Sequence, residues 1–325
     1  MTTSGAGPQT IRDIGEFGLI SQVTRRLELP PAVSVGPGDD GAVFLVNGSS
    51  VTSVDMLVEN VHFRRSWSSA ADVGHKSVAV NVADLEAMGA SPVAMVIGFG
   101  APPDLPVSWV KEFMTGVREE ADLAGVALVG GDMTGARDIT VCVTVIGETG
   151  GRTPVLRSGA EPGQVVAVKG RLGWAAAGLA ALGRGFRSPR AAVDSQRTPK
   201  VPYGAGKEAA LAGATAMIDV SDGLLADLGH IADASEVGIA LDSERFDVAD
   251  PVRAVATAIN KDPLGFVLTG GEDHALAATF APDDVPDDWQ VVGRVVDPDP
   301  DEGPCVLVDG RHWEGDPGWT HFSAL

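Results

Sequence analysis

Gly36-Pro37-Gly38-Asp39-Asp40-Gly41-Ala42-Val43-Phe44 sets two adjacent carboxylates in a glycine-rich turn that leads into an apolar run. Glycine lets the backbone turn sharply and a ligand approach closely, while Asp39 and Asp40 repel each other unless something neutralises them. Oxygen donors of this kind suit magnesium or calcium. An isolated Asp-Asp-Gly is equally an ordinary Asx-type turn, so its meaning depends on what else the chain carries.

On the N-terminal side, residues 14–29 place Phe17, Ile20, Val23 or Thr24, and Leu27 on one helical face and stop at Pro30-Pro31. On the other side, 42–46 and 50–58 read as short strands joined by Asn47-Gly48 as a hairpin, and Asp55 interrupts the second. Residues 72–88 form a helix closed by Gly89, with Lys76, Val80 and Asp84 along one face and Asn81 adjacent. An acid on a helix face that meets a sheet has a use, unless Asp84 is exposed and paired with solvent or Lys76. Strand 93–99, helix 107–124 and strand 126–129 follow, the last ending at Gly130-Gly131-Asp132, with a further strand at 139–147.

Composition turns Gly-, Pro- and Arg-rich over 150–162, which predicts a boundary between domains 1–150 and 151–325. A chain of 325 residues is long for one core. Arg157 is one of few cations near so many acids; it clamps a phosphate or pairs with a carboxylate at a domain seam. Strand 164–169, helix 172–182, a polar loop over 184–200 and helix 204–214 come next. Met217-Ile218-Asp219-Val220-Ser221-Asp222-Gly223-Leu224-Leu225 then crowds acids into a strand-to-helix turn. Ser221 or Asp222 would cap helix 224–234, a role that Asp219 cannot share. Strands at 237–241 and 266–269, the latter ending at Gly270-Gly271-Glu272-Asp273, and at 275–280, 290–296 and 305–308 complete an alternating second half. Ala83-Asp84-Leu85 before Gly130-Gly131-Asp132 and Ala226-Asp227-Leu228 before Gly270-Gly271-Glu272 suggest a weak internal repeat.

The charge balance excludes whole classes of partner. Lys plus Arg number 24 against 44 Asp plus Glu, a formal charge of −20 that repels nucleic-acid phosphates and anionic membranes. Arg25-Arg26 and Arg64-Arg65 are isolated pairs and make no basic patch. The longest apolar run, 93–101, holds two glycines and is too short to span a bilayer. Residues 1–10 lack the charged start and apolar run of a signal peptide. Cys142 and Cys305 are far apart in apolar surroundings and read as buried free thiols of a cytoplasmic protein.

Acids in glycine-flanked turns or on interrupted apolar faces are Asp39, Asp40, Asp55, Asp84, Asp132, Asp219, Asp222, Glu272 and Asp273. Wherever several converge they cannot all stay ionised without cations. Magnesium resolves that conflict and commonly binds phosphate oxygens through a few carboxylates, so the pattern points to nucleotide phosphates. Familiar nucleotide motifs are missing. Gly36-x-Gly38-x-x-Gly41 matches a dinucleotide fingerprint only formally, because two acids occupy its loop and a strand rather than a helix follows. A P-loop at Gly206-Lys207 fails, with Val201 and Glu208 at the required positions.

Gly15-Glu16-Phe17, Gly38-Asp39-Asp40, the run Asn81 to Ala90, Gly130-Gly131-Asp132, Arg157-Ser158-Gly159-Ala160, Asp219-Val220-Ser221-Asp222-Gly223-Leu224, Gly270-Gly271-Glu272-Asp273 and Gly318-Trp319-Thr320-His321-Phe322 together resemble the thiamine-monophosphate kinase family, in order and spacing, over nearly the whole chain. The resemblance implies a mixed α/β, two-domain aminoimidazole-ribotide-synthetase-like architecture whose N-terminal domain pairs into a β-barrel across a homodimer. It implies γ-phosphoryl transfer from ATP to thiamine monophosphate, with several magnesium ions held by Asp40, Ser53, Val54 through its carbonyl, Asp55, Asp84, Asp132, Asp219 and Asp222. Of these, Asp84, Asp132 and Asp222 would be catalytic. Gly131, Asp132, Arg157 and Ser221 would contact ATP, and His62, Glu272 and Trp319 the thiamine monophosphate.

Overall fold

The structure is a computed structural model that describes residues 9–25, 27–37 and 41–319. Two compact units emerge. The first comprises Met1–Asn81 and Pro92–Gly147, and the second Val82–Ser91 and Glu148–Leu325.

The first unit begins with α1 (Ile11–Thr24), β1 (Val33–Val35), β2 (Val43–Phe44) and β3 (Ser50–Val58). Next come α2 (Ala70–Ala87), whose last turns are counted with the second unit, β4 (Ser91–Ala101), α3 (Val107–Ala124), β5 (Ala127–Gly135) and β6 (Thr140–Glu148). Its main sheet has the order β3-β6-β4-β5, so β3 and β5 form the edges. Alternation along β6 buries Val141, Val143 and Val145 and leaves Thr140, Cys142 and Thr144 half-buried on the other face.

The second unit holds β7 (Val165–Lys169), α4 (Trp174–Gly183), α5 (Arg190–Arg197), α6 (Ala205–Leu211), β8 (Ala216–Val220), α7 (Leu224–Ser235) and β9 (Gly238–Leu241). These are followed by α8 (Asp250–Ala258), α9 (Pro263–Thr269), β10 (Ala275–Phe280), β11 (Gln290–Val296) and β12 (Cys305–Val308). Its six-stranded sheet runs β12-β9-β11-β7-β10-β8. The β12–β9 pair is parallel, and the ladders joining β9, β11, β7, β10 and β8 are antiparallel. Every residue of β8 and β10 is buried, which is why both are apolar on both faces apart from Asp219 and Thr279 rather than alternating. The mixed α/β class expected from the sequence is the one observed.

Several local expectations give way to tertiary packing. Helix α1 ends at Thr24, short of Leu29, and Gly15 sits inside it at φ 70°, ψ 173°. That break resets the helical phase, so Leu19 and Val23 are buried while Phe17 is 81% exposed. The hairpin at Asn47-Gly48 is not formed: β2 pairs with β1, and β3 with β6, where Thr52 Oγ1 donates to the Val145 carbonyl at 2.9 Å. Strand β5 runs through Gly130-Gly131-Asp132 instead of ending there, because these residues pair with Val96, Ile97 and Gly98 of β4. The polar stretch 184–200 contains α5, held by buried Ala192 and Val193. Residues 263–269 form helix α9 rather than a strand, started by Asp262, whose carboxylate accepts the Leu264 N–H at 3.0 Å, with proline following the cap. Both cysteines are free thiols, partly exposed rather than buried.

One ionic bridge joins α2 to α3. His75 Nδ1 lies 2.9 Å from Glu120 Oε2 and Nε2 lies 3.1 Å from Glu119 Oε2. The hydrogen bond to Glu120 raises the His75 pKa above 6.5, outweighing the opposing effect of burial. A raised folded pKa contributes stability that is full below the unfolded value and disappears as pH rises through the folded one. The melting-temperature gap between the wild type and His75→Gln is therefore expected to be wider at pH 6 than at pH 9. Equal gaps at the two pH values in thermal melts would count against an ionic role for this bridge.

Candidate active site

In the first unit the chemistry-bearing residues lie on strands. Ser53, Val54 and Asp55 occupy β3, with Val54 and Asp55 exposed. The Asp55 N–H donates to Asn81 Oδ1 at 2.8 Å, and Asn81 Nδ2 donates to the Ser77 carbonyl at 2.9 Å. Buried Asn81 thereby pins β3 to α2 at the residue whose carboxylate interrupts the strand pattern. His62 follows β3, and its Nδ1 accepts the Val58 N–H at 3.0 Å, which places the proton of the neutral ring on Nε2. The buried Lys76 donates to the His62 carbonyl at 3.3 Å.

Gly131 and Asp132 are exposed on β5, at the opposite edge of the sheet from Asp55. A Cβ on Gly131 would lie 2.2 Å from the Ile97 carbonyl oxygen, so only glycine permits that strand approach. Beside them lies a cavity of about 590 Å³, walled by apolar side chains such as Phe17, Val96, Phe113 and Met114, with Gly130, Gly131 and Asp132 at its margin. Two strands separate β3 from β5, a span of about 14 Å measured along the sheet at normal strand spacing.

In the second unit the site is a turn held from three sides. Strand β8 delivers Asp219, buried at 5% exposure, and Ser221-Asp222-Gly223 turn the chain into α7. Neither Ser221 nor Asp222 caps that helix. Asp227, in the first turn of α7, reaches back instead, and its Oδ2 accepts the N–H groups of Asp222 at 3.1 Å and Gly223 at 3.0 Å. Burial, followed by the charges of Asp219 and Asp222, pushes the Asp227 pKa up to about 7 against the pull of those N–H groups. Asp227 holds this turn and was not among the candidates read from the sequence; its signal is a carboxylate one turn beyond a glycine that has no side chain to cap with.

From the second side comes the segment after α9. The Glu272 N–H donates to the Ser221 carbonyl at 2.7 Å and the His274 N–H to the Val220 carbonyl at 2.9 Å. Between them Asp273 is buried, and its carboxylate accepts the N–H groups of Gly173 and Ala175 at the start of α4. Burial lifts its pKa to about 7, opposed by those N–H groups. The C-terminal segment supplies the third side, where the Trp319 N–H donates to the Asp222 carbonyl at 2.8 Å and the indole stays exposed.

Asp84 is half-buried near the end of α2. Arg157 is exposed, with its carbonyl held by Ser235 Oγ at 3.0 Å. Asp39, Asp40 and residues 320–322 lie outside the described residues. The two Gly-Gly-acid stretches have unlike backbones, one inside a strand and one in a loop after a helix, so the internal repeat does not extend to them.

Among the described residues, no three histidine, cysteine or carboxylate side chains gather to hold a metal. Magnesium does not require three, since it binds through one or two carboxylates and keeps its remaining positions for water and phosphate. The all-oxygen donors here, with Asp219 and Asp222 both acting on one buried acid, fit that ion.

Residues 38–149 match the N-terminal domain of AIR synthase related proteins and residues 161–303 the C-terminal domain. The chain is 48% identical over 316 residues to the thiamine-monophosphate kinase of Mycobacterium tuberculosis, covering 96% of this chain and 93% of the relative. Thiamine monophosphate kinase from Aquifex aeolicus superposes with a TM-score of 0.76 at 30% identity, covering 94% of this chain and all of the other. The structure of AaThiL complexed with AMPPCP and TMP superposes with a TM-score of 0.79 at 33% identity, covering 98% of this chain and 100% of that one. With both domain models matched and nearly its full length shared with these enzymes, the chain belongs to the thiamine-monophosphate kinase family.

Proposed function

We propose that the chain transfers the γ-phosphoryl group of ATP to thiamine monophosphate, forming thiamine diphosphate and ADP in thiamine diphosphate biosynthesis. The observation that carries this reading is the Asp219–Gly223 turn. Two acids are presented at the end of a fully buried strand, and the Asp227 carboxylate together with the N–H groups of Glu272 and Trp319 holds the backbone of residues 221–223. Gly131, Asp132, Arg157 and Ser221 contact ATP, and the apolar cavity beside Gly131 is of a size and lining suited to a purine. His62, Glu272 and Trp319 bind thiamine monophosphate, Trp319 by stacking its exposed indole on an aromatic ring.

The acceptor is a phosphomonoester whose second pKa is near about 6, so it is already ionised and needs no general base. The task of the protein is therefore positioning and charge control. When bound, magnesium supplies neutralisation of the phosphate charges that face each other in an in-line displacement. The residues that would hold it are Ser53, Val54 through its carbonyl, Asp55 and Asp132 in the first unit, and Asp84, Asp219 and Asp222 in the second, together with Asp40. On this reading, domain 1–150 carries ATP, magnesium and dimer contacts, and domain 151–325 closes the site.

A cytoplasmic homodimer is part of the same proposal. Among the described residues no helix is long and apolar enough to cross a membrane. Strand β3 exposes Val54 at 54% and Met56 at 50%, an apolar edge that a second copy would cover as the two sheets close into a barrel. Light scattering is expected to give twice the chain mass; a monomer at micromolar concentration would remove the dimer.

The deciding assay incubates the protein with ATP, magnesium and thiamine monophosphate and follows ADP and thiamine diphosphate separately. Equal amounts of both products, formed only with the acceptor present, are expected. ADP without thiamine diphosphate would make the acceptor assignment wrong, and ATP binding without ADP would leave a nucleotide-binding protein that does not catalyse.

A further inference from the structure

Segment 270–274 carries two residues with side chains in the left-handed region, Glu272 at φ 69° and His274 at φ 51°. Such backbone persists only where surrounding contacts over-determine it, and here they do. Asp273 anchors the segment to the start of α4, while the N–H groups of Glu272 and His274 bind the carbonyls of Ser221 and Val220 at the end of β8. The twist turns the His274 ring inward, where Nδ1 lies 3.0 Å from Asp219 Oδ2 and both side chains are almost fully buried. A carboxylate fixed through one oxygen by a buried imidazole has one orientation in place of several, and the other oxygen then points in a set direction.

We propose that His274 is a positioning residue: by donating Nδ1–H to Asp219 Oδ2 it orients that carboxylate so that Oδ1 is offered to a divalent cation. The inference rests on the magnesium role given to Asp219 above. It differs from a purely structural role, in which His274 would only satisfy a buried acid and the affinity for metal would not depend on it. The same segment also holds the Ser221 carbonyl, next to Asp222, through the Glu272 N–H.

The test compares the wild type with His274→Phe and His274→Asn. Asparagine keeps an N–H donor near the place of Nδ1; phenylalanine keeps the ring and loses the bond. Thermal unfolding of the nucleotide-free protein is followed as magnesium is titrated from an EDTA-treated start, and the magnesium dependence of turnover is measured alongside. In His274→Phe the magnesium concentration for half-maximal stabilisation is expected to rise about tenfold. The half-saturating magnesium in turnover should rise with it, with a smaller change in kcat at saturating magnesium, and His274→Asn should recover most of both losses.

An unchanged magnesium midpoint in His274→Phe overturns the proposal even if its melting temperature in EDTA falls, because that pattern is the structural role. Equal midpoint shifts in the Phe and Asn variants overturn it as well, as does a wild type whose stability ignores magnesium. Should His274→Phe fail to fold, His274→Gln replaces it, since its longer amide cannot place a donor where Nδ1 stands. A wild type that binds magnesium but forms no thiamine diphosphate defeats the proposed function and leaves this inference standing.

Discussion

Asp222→Asn is expected to lower thiamine diphosphate formation about a thousandfold while moving the melting temperature by no more than about 2 °C. The substitution keeps the size and polarity of the side chain and removes only its charge. Losing one anionic partner of a catalytic metal is worth several kcal/mol in transition-state stabilisation, and about 4 kcal/mol corresponds to three powers of ten in rate. The fold should survive because the substitution leaves the main-chain bonds of Asp222 in place. Its N–H goes to Asp227 Oδ2, and its carbonyl takes the Trp319 N–H. Asp84→Asn is the parallel case on α2. Near-wild-type turnover in either variant would remove that residue from the mechanism.

Glu86→Ala is expected to do the reverse, destabilising the protein without touching the chemistry directly. Glu86 is 2% exposed, and its two carboxylate oxygens accept the N–H groups of Gly204 and Gly206, each at 2.8 Å, at the start of α6. Burial raises its pKa despite those bonds. Alanine leaves two N–H groups without their acceptor in a packed interior and opens a cavity, a loss of about 3 kcal/mol and roughly 4–5 °C in melting temperature for a chain of 325 residues. Repacking cannot rescue the site by moving α6 inward, because a Cβ on Gly206 would already lie 1.8 Å from the Glu86 carbonyl oxygen. Glu86→Gln should cost less than alanine and more than nothing, since its amide can accept from one N–H but turns a donor toward the other. An unchanged melting temperature in Glu86→Ala would show that water replaces the carboxylate.

The residues proposed as ligands stand out in the sequence because each violates a local pattern: Asp55 within a strand, Asp219 at the end of an apolar run, Asp132 between glycines and a strand continuation. Acids that cost stability where they stand are visible for that reason. Asp227 and Glu86 were not singled out, because an acid in an ordinary helix looks like a solvated one until burial is known. His274 follows Asp273 with no periodic signal, and its partner Asp219 is 55 residues away. The strand expected at 266–269 failed because Phe266, Val267 and Leu268 are apolar in either state, and the deciding Asp262-Pro263 cap lies upstream of the run. The hairpin at Asn47-Gly48 failed because a turn preference is worth less than the long ladder that β3 finds in β6.

Helix α2 belongs to both compact units, its residues through Asn81 to one and from Val82 onward to the other. The second unit is thus assembled from two stretches of chain that are not contiguous, Val82–Ser91 and Glu148–Leu325. A protease cut or gene truncation near residue 150 would leave the C-terminal piece without Glu86, without Ala87 of its core, and with the first amides of α6 uncapped. That piece should recover its fold only when a peptide spanning 82–91 is supplied in trans, which makes this short helical segment a natural point for fragment complementation.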